Sequence, residues 1–139
     1  MCGSSRTPLR VPLNLLVVDD DPVVRQVTCR MLDEAGYLSM AAASATEALL
    51  LMDLEGRPAP PRFDLVVLDV RLPDVTGFEL ARTVRQRRPS LPILFVSGYP
   101  ESHGEELPPS GWAFLPKPFT SEQLVRHIRS LLTEGPTPP

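Results

Sequence analysis

The chain has 139 residues, is 42% hydrophobic and carries a formal net charge of −3. That length predicts one domain with a core of ordinary size. The acidic balance gives no basic footprint for nucleic acid, and no apolar run approaches the ~20 residues that cross a bilayer.

The first residues, MCGSSRTPLRVP, lack the apolar centre of a signal peptide and are expected to form a disordered lead over 1–12. LNLLVV (13–18) is the first strand candidate: short, branched and continuously apolar. Asp19, Asp20 and Asp21 come next, then Pro22, a favoured first helical residue. Val23, Val24, Val27, Met31, Leu32 and Ala35 recur at helical spacing until Gly36. Asp21 reads as the N-cap of that helix, and Cys29 as a plain helical residue.

YLSMAAA (37–43) is a softer strand, expected nearer an edge. Ser44-Ala45-Thr46-Glu47 forms a capping box for a second helix through Met52. After the PAPP segment (58–61), DLVVL (64–68) is a third strand, ending at Asp69. Asp74 in LPDVTG reads as a turn former. Thr76-Gly77-Phe78-Glu79 opens a third helix, whose Arg85, Arg87 and Arg88 look like a solvated end.

LPILFV (91–96) is a fourth strand, with Ser97 and Gly98 directly after it. The crossover ESHGEELPPSG (101–111) is a poor helix, because Gly104 and two prolines leave at most a turn or two. WAFL (112–115) is a fifth strand. Thr120-Ser121-Glu122-Gln123 opens a last helix carrying Leu124, Val125, Ile128, Leu131 and Leu132. The domain is expected to span 13–133, with a disordered tail over 134–139. His103 and His127 lack an acidic orienting partner in sequence and read as exposed structural residues.

Continuous apolar strands alternating with helices predict the α/β class: a doubly wound, five-stranded parallel sheet with helices on both faces, the fourth helix short or irregular. Ligands of such sheets bind at the carboxyl ends of the strands. The residues there are Asp19, Asp20, Asp69, Ser97 and Lys117. Each has a bland reading when taken alone, as solvated loop, cap, turn or surface lysine. Together they are restrictive. Clustered carboxylates disfavour their own ionisation unless a cation compensates. Hard oxygen ligands suit Mg2+ (or Mn2+). A carboxylate beside such an ion is a candidate nucleophile at phosphorus, with ammonium and hydroxyl groups offsetting charge on the transferred group. The chain contains thirteen arginines and one lysine, Lys117, set between Pro116 and Pro118 in FLPKPF. A compact ammonium suits one phosphoryl oxygen where a guanidinium fork would not. Lys117–Pro118 is a candidate cis peptide.

LLVVDDDPVVR, DLVVLDVRLPDVTGFEL, ILFVSGY and FLPKPF resemble, in order and spacing, the receiver (response-regulator) domain of two-component signalling, over about residues 13–133. The resemblance implies a flavodoxin-like strand order 2-1-3-4-5. It also implies Asp69 as phosphoacceptor, and Asp19 and Asp20 as the Mg2+-binding pair, with Asp20 the direct ligand. The backbone carbonyl of Arg71 would complete the protein ligands. Ser97 takes the place of the switch hydroxyl, Phe114 of the aromatic switch and Lys117 of the family's lysine. Arg71 and Tyr99, each two residues beyond a site residue, are candidates for tuning hydrolysis. SGYP with FLPKPF looks most like receivers at the C-terminus of hybrid sensor histidine kinases, or single-domain relatives. The weak fourth crossover departs from the common pattern and puts the usual dimer face in doubt.

No signal peptide, no membrane-spanning run and no disulfide framework from Cys2 and Cys29 predict a cytoplasmic protein, expected to be a monomer. The resemblance implies that it catalyses only its own phosphorylation and dephosphorylation. Its partner would be a sensor histidine kinase or a histidine phosphotransfer protein, without direct contact to nucleic acid or insertion into a membrane. The helix from Pro22 and the loop at Pro118 are the expected docking surface for that donor. Two other classes stay open. A phosphorylation-independent pseudo-receiver would lack Mg2+ affinity. A dehalogenase-type phosphatase would want a second aspartate where Arg71 stands, and a guanidinium cannot donate a proton at neutral pH.

Overall fold

The computed structural model describes residues 13–53, 62–98 and 110–134. Among the described residues five strands and four helices follow in the order β1 (Asn14–Val18), α1 (Pro22–Glu34), β2 (Leu38–Ala42), α2 (Ala45–Met52), β3 (Leu65–Asp69), α3 (Gly77–Arg87), β4 (Ile93–Ser97), β5 (Trp112–Pro116) and α4 (Ser121–Glu134). The sheet is wholly parallel, in the order β2-β1-β3-β4-β5. This is the expected 2-1-3-4-5 order, with β2 at an edge. The expected lead, the PAPP segment, the 101–109 crossover, Tyr99, His103 and the tail beyond Glu134 lie outside the described residues.

Alternation along the strands splits the core in two. Leu16, Val18, Val66, Leu68, Ile93 and Phe95 face α2 and α3, where Ala48, Phe78, Ala81 and Val84 meet them. Leu15, Val17, Leu65, Val67, Leu94 and Val96 face α1 and α4, where Leu32, Leu124, Ile128 and Leu131 meet them. Strands buried on both sides need no polar face, which is why they read as unbroken apolar runs.

The helix starts form as the sequence predicts. The Asp21 carboxylate accepts the N–H groups of Val23 and Val24 at 2.9 and 3.3 Å. Ser44 Oγ accepts Glu47 N–H at 3.1 Å, and Thr76 Oγ1 accepts Glu79 N–H at 3.1 Å. At Thr120 the box is reciprocal: Thr120 N–H donates to Gln123 Oε1 at 2.9 Å, and Gln123 N–H to Thr120 Oγ1 at 3.1 Å. Gly36, at φ +96°, lets the chain leave α1 in the left-handed conformation. His127 is half-buried, and its Nδ1 donates to the carbonyl of Gln123 within α4.

The arginines at the end of α3 differ from their sequence reading as a solvated end. Arg85 donates to the carbonyls of Leu91 at 2.7 Å and Gly111 at 2.8 Å. Arg88 reaches the carbonyl of Phe63 at 3.1 Å, and Arg87 pairs with Asp53. These side chains fasten α3 to the starts of β4 and β5 and to the chain entering β3. Their acceptors are mostly backbone carbonyls remote in sequence, which no local pattern reveals.

Candidate functional site

Because every strand runs the same way, the residues at the ends of β1, β3, β4 and β5 emerge at one edge. Ladder bonds running past the strand ends hold them there. Asp19 N–H donates to Ala42 O at 3.1 Å, Val70 N–H to Val96 O at 3.0 Å and Lys117 N–H to Ser97 O at 2.8 Å. Asp19, Asp69 and Ser97 are buried, at 2%, 6% and 6% exposure, whereas Asp20 is exposed.

Lys117 Nζ lies 3.1 Å from Asp19 Oδ2 and 3.3 Å from Asp69 Oδ2. The other oxygen of Asp19 accepts the N–H of Asp21 at 2.9 Å, and the other oxygen of Asp69 accepts the N–H of Arg71 at 3.2 Å. Asp19, Asp20 and Asp69 each place a carboxylate oxygen within 4.8 Å of the others. Together with Arg71, Pro73 and Lys117 they line a cleft of about 360 Å³. The Lys117–Pro118 peptide is cis.

One ammonium serves two buried carboxylates, and the electrostatics show the shortfall. Burial and the charge of Asp19 push Asp69 up from 3.8 to about 6, while Lys117 and the Arg71 N–H pull it back. Burial would lower Lys117, but the charges of Asp69 and Asp19 outweigh it and raise its pKa. Closely set oxygens short of positive charge fit a hard divalent cation.

Two neighbours of the site escaped the sequence reading. Arg25, one turn into α1, donates to the Asp19 carbonyl at 2.7 Å and fixes the bend after β1. Gly77 starts α3 directly against the end of β3: a Cβ there would stand 2.4 Å from the Asp69 carbonyl oxygen. Its N–H also donates to Val70 O at 2.7 Å. A glycine inside a capping box signals such close approach, but only the fold reveals what approaches.

Phe114 stands apart from the acidic cleft. It is half-buried on the α3 side of the sheet and stacks on Phe95, its register partner on β4, at 5.3 Å between centroids. Trp112 and Phe78 complete the cluster at 5.9 and 6.1 Å from it. Arg71 has an exposed side chain at the mouth of the cleft.

Comparisons to known proteins give the family and the fold. The family model described as response regulator receiver domain matches residues 15–129. The chain belongs to that family. Sensor kinase CckA of Brucella abortus is 37% identical over 128 residues, covering 91% of this receiver and 13% of CckA. Response regulator MprA of Mycobacterium sp. (strain KMS) is 38% identical over 137 residues, covering 93% of this chain and 56% of MprA. The receiver thus spans about half of one curated relative and a small part of the other. Response regulator protein TrrA from Thermotoga maritima, solved in complex with Mg2+–BeF, superimposes at a TM-score of 0.75 with 27% identity, covering 87% of this chain and all of that one. Among the described residues no helix is long and apolar enough to cross a membrane.

Proposed function

We propose that this receiver accepts a phosphoryl group on Asp69 from a phosphohistidine of a sensor histidine kinase or histidine phosphotransfer protein, in a Mg2+-dependent reaction. The observation that carries the reading is the meeting of Asp19, Asp20, Asp69 and Lys117, drawn from three strand ends, around one acceptor carboxylate. Asp19, Asp20, Asp69 and the backbone carbonyl of Arg71 would hold the ion. When bound, it supplies positive charge that lets the carboxylates ionise together and offsets charge on the transferred group.

An oxygen of Asp69 attacks phosphorus and forms the P–O bond. The P–N bond to the donor breaks, and its electron pair returns to the imidazole. The Lys117 ammonium, held between Asp19 and Asp69, is placed to stabilise a phosphoryl oxygen. The product is an aspartyl phosphate, and reaction with water returns the carboxylate.

The switch we propose starts at Ser97, drawn toward the phosphoryl group. Ser97 lies two residues beyond Phe95 on β4, and Phe114 stacks on Phe95. Movement at Ser97 therefore reaches the ring of Phe114 through one strand and biases a two-state equilibrium of β4 and β5.

The donor docks beside the cleft. Val23, Val24, Val27, Met31, Pro118 and Phe119 line an apolar groove of about 450 Å³ that reaches Lys117. Val23 is 66% exposed and Val27 46%.

Fluorescence of Trp112 tests this reading, since that ring is packed edge-on to both Phe95 and Phe114. Adding Mg2+ and then a small phosphodonor should change the emission in the wild type. Asp69→Asn should show no response to the phosphodonor. A response that persists in the variant, or none in either protein, contradicts the proposal, the latter being the behaviour of a pseudo-receiver.

A further inference from the structure

Asp74 belongs to the loop after β3, yet its carboxylate is spent on another element. Oδ1 accepts the N–H of Ala45 at 3.1 Å. Oδ2 accepts the N–H and the hydroxyl of Thr46, both at 2.9 Å. Ser44 takes the N–H of Glu47. The first N–H groups of a helix have no intrahelical acceptor. In α2 the first three are divided between a local cap and one carboxylate 28 to 29 positions away in sequence. Desolvation opposes ionisation of Asp74, but the N–H groups of Thr46 and Ala45 and the Thr46 hydroxyl prevail, holding its pKa at about 2. Within its own loop Asp74 accepts the N–H of Val75 at 3.1 Å, while its other bonds go to α2.

The other end of this loop is the wall of the acidic cleft. Arg71, Leu72 and Pro73 line that cleft with Asp19, Asp20 and Asp69. The loop is closed at its base by an antiparallel bridge from Arg71 to Thr76, and by Gly77 N–H on Val70 O. Its outer turn is tied through Asp74 to the start of α2. One side of the cleft therefore rests on a helix that contributes no residue to it.

We propose that Asp74 is a positioning residue for the divalent-cation site: by fastening the 70–76 loop to the first turn of α2, it fixes the wall carrying Arg71 and couples that turn to occupancy of the site. The inference rests on the reading that Asp19, Asp20 and Asp69 hold a divalent cation. Coupling of this kind is reciprocal, so occupancy must in turn order the first turn of α2.

The test uses the full chain stripped of metal. MgCl2 is titrated by calorimetry, and amide exchange at Ala45 and Thr46 is tracked by NMR with and without the ion. In the wild type, Mg2+ binds and slows exchange at both amides. Asp74→Ala weakens Mg2+ binding by about tenfold, the low end for residues that support metal ligands from outside, and abolishes the slowing. Asp74→Asn, which keeps one acceptor oxygen, recovers part of the affinity. A purely structural cap would lower the melting temperature of Asp74→Ala yet leave Mg2+ affinity unchanged, which overturns the proposal. If Asp74→Ala fails to fold, Asp74→Asn and Thr46→Val decide: wild-type affinity in both overturns it. Absence of Mg2+ binding by the wild type itself instead removes the cation reading on which the inference stands.

Discussion

As the proposed acceptor, Asp69 has to satisfy two requirements that pull apart. It sits among strand ends, where a donor and an ion can be aligned on it, and that same burial beside Asp19 raises its pKa from 3.8 to about 6. In metal-free protein the folded chain therefore keeps a proton on Asp69 over a range where the unfolded chain has lost it. The folded state binds more protons between about pH 4 and 6, so this group's contribution to stability falls as pH rises through that window. Asp69→Asn removes the titration. In chelator at neutral pH the variant should be more stable than the wild type, by on the order of 1 kcal/mol. The difference should disappear below pH 4, and Mg2+ should narrow it by stabilising the wild type. Denaturant melts across that range check this; a variant less stable at neutral pH would show that Asp69 is fully compensated without an ion.

The helices carry the contacts that the strand-end cluster lacks. Helix α1 supplies the Asp21 cap and the Arg25 clamp on the inside, and Val23 and Val27, one turn apart, on the outside. If that outer face seats the phosphodonor protein, Val23→Asp and Val27→Asp should slow transfer from a phosphorylated histidine phosphotransfer protein and leave uptake from a small phosphodonor unchanged. Equal effects on both donors would place the valines in the chemistry or the fold; no effect on either would remove them from docking.

Legibility at this scale depended on distance along the chain. The boxes at Ser44, Thr76 and Thr120 satisfy donors three residues away, so the sequence contains the whole interaction. Asp74 and the arginines of α3 find their acceptors or donors on other elements. A turn former and a solvated helix end were the readings available from neighbouring residues alone.

In the whole molecule, a parallel sheet converts order along the chain into proximity at one edge. That is why Asp19, Asp69, Ser97 and Lys117 were legible as a group although 98 positions separate Asp19 from Lys117. Burial on both faces made the strands visible as apolar runs, and strand direction then left a single edge for their C-terminal residues. The surroundings of Phe114 were not legible in the same way. Its stacking on Phe95 depends on β4–β5 register, which two unbroken apolar runs do not specify.

We propose above all that this edge makes Asp69 a phosphoryl acceptor. Intact-mass measurement after incubation with Mg2+ and a small acyl phosphate tests it most directly. The wild type should gain one phosphoryl group, lost on treatment with hydroxylamine and absent from Asp69→Asn or when Mg2+ is chelated. No gain in the wild type, or an equal gain in Asp69→Asn, would contradict it.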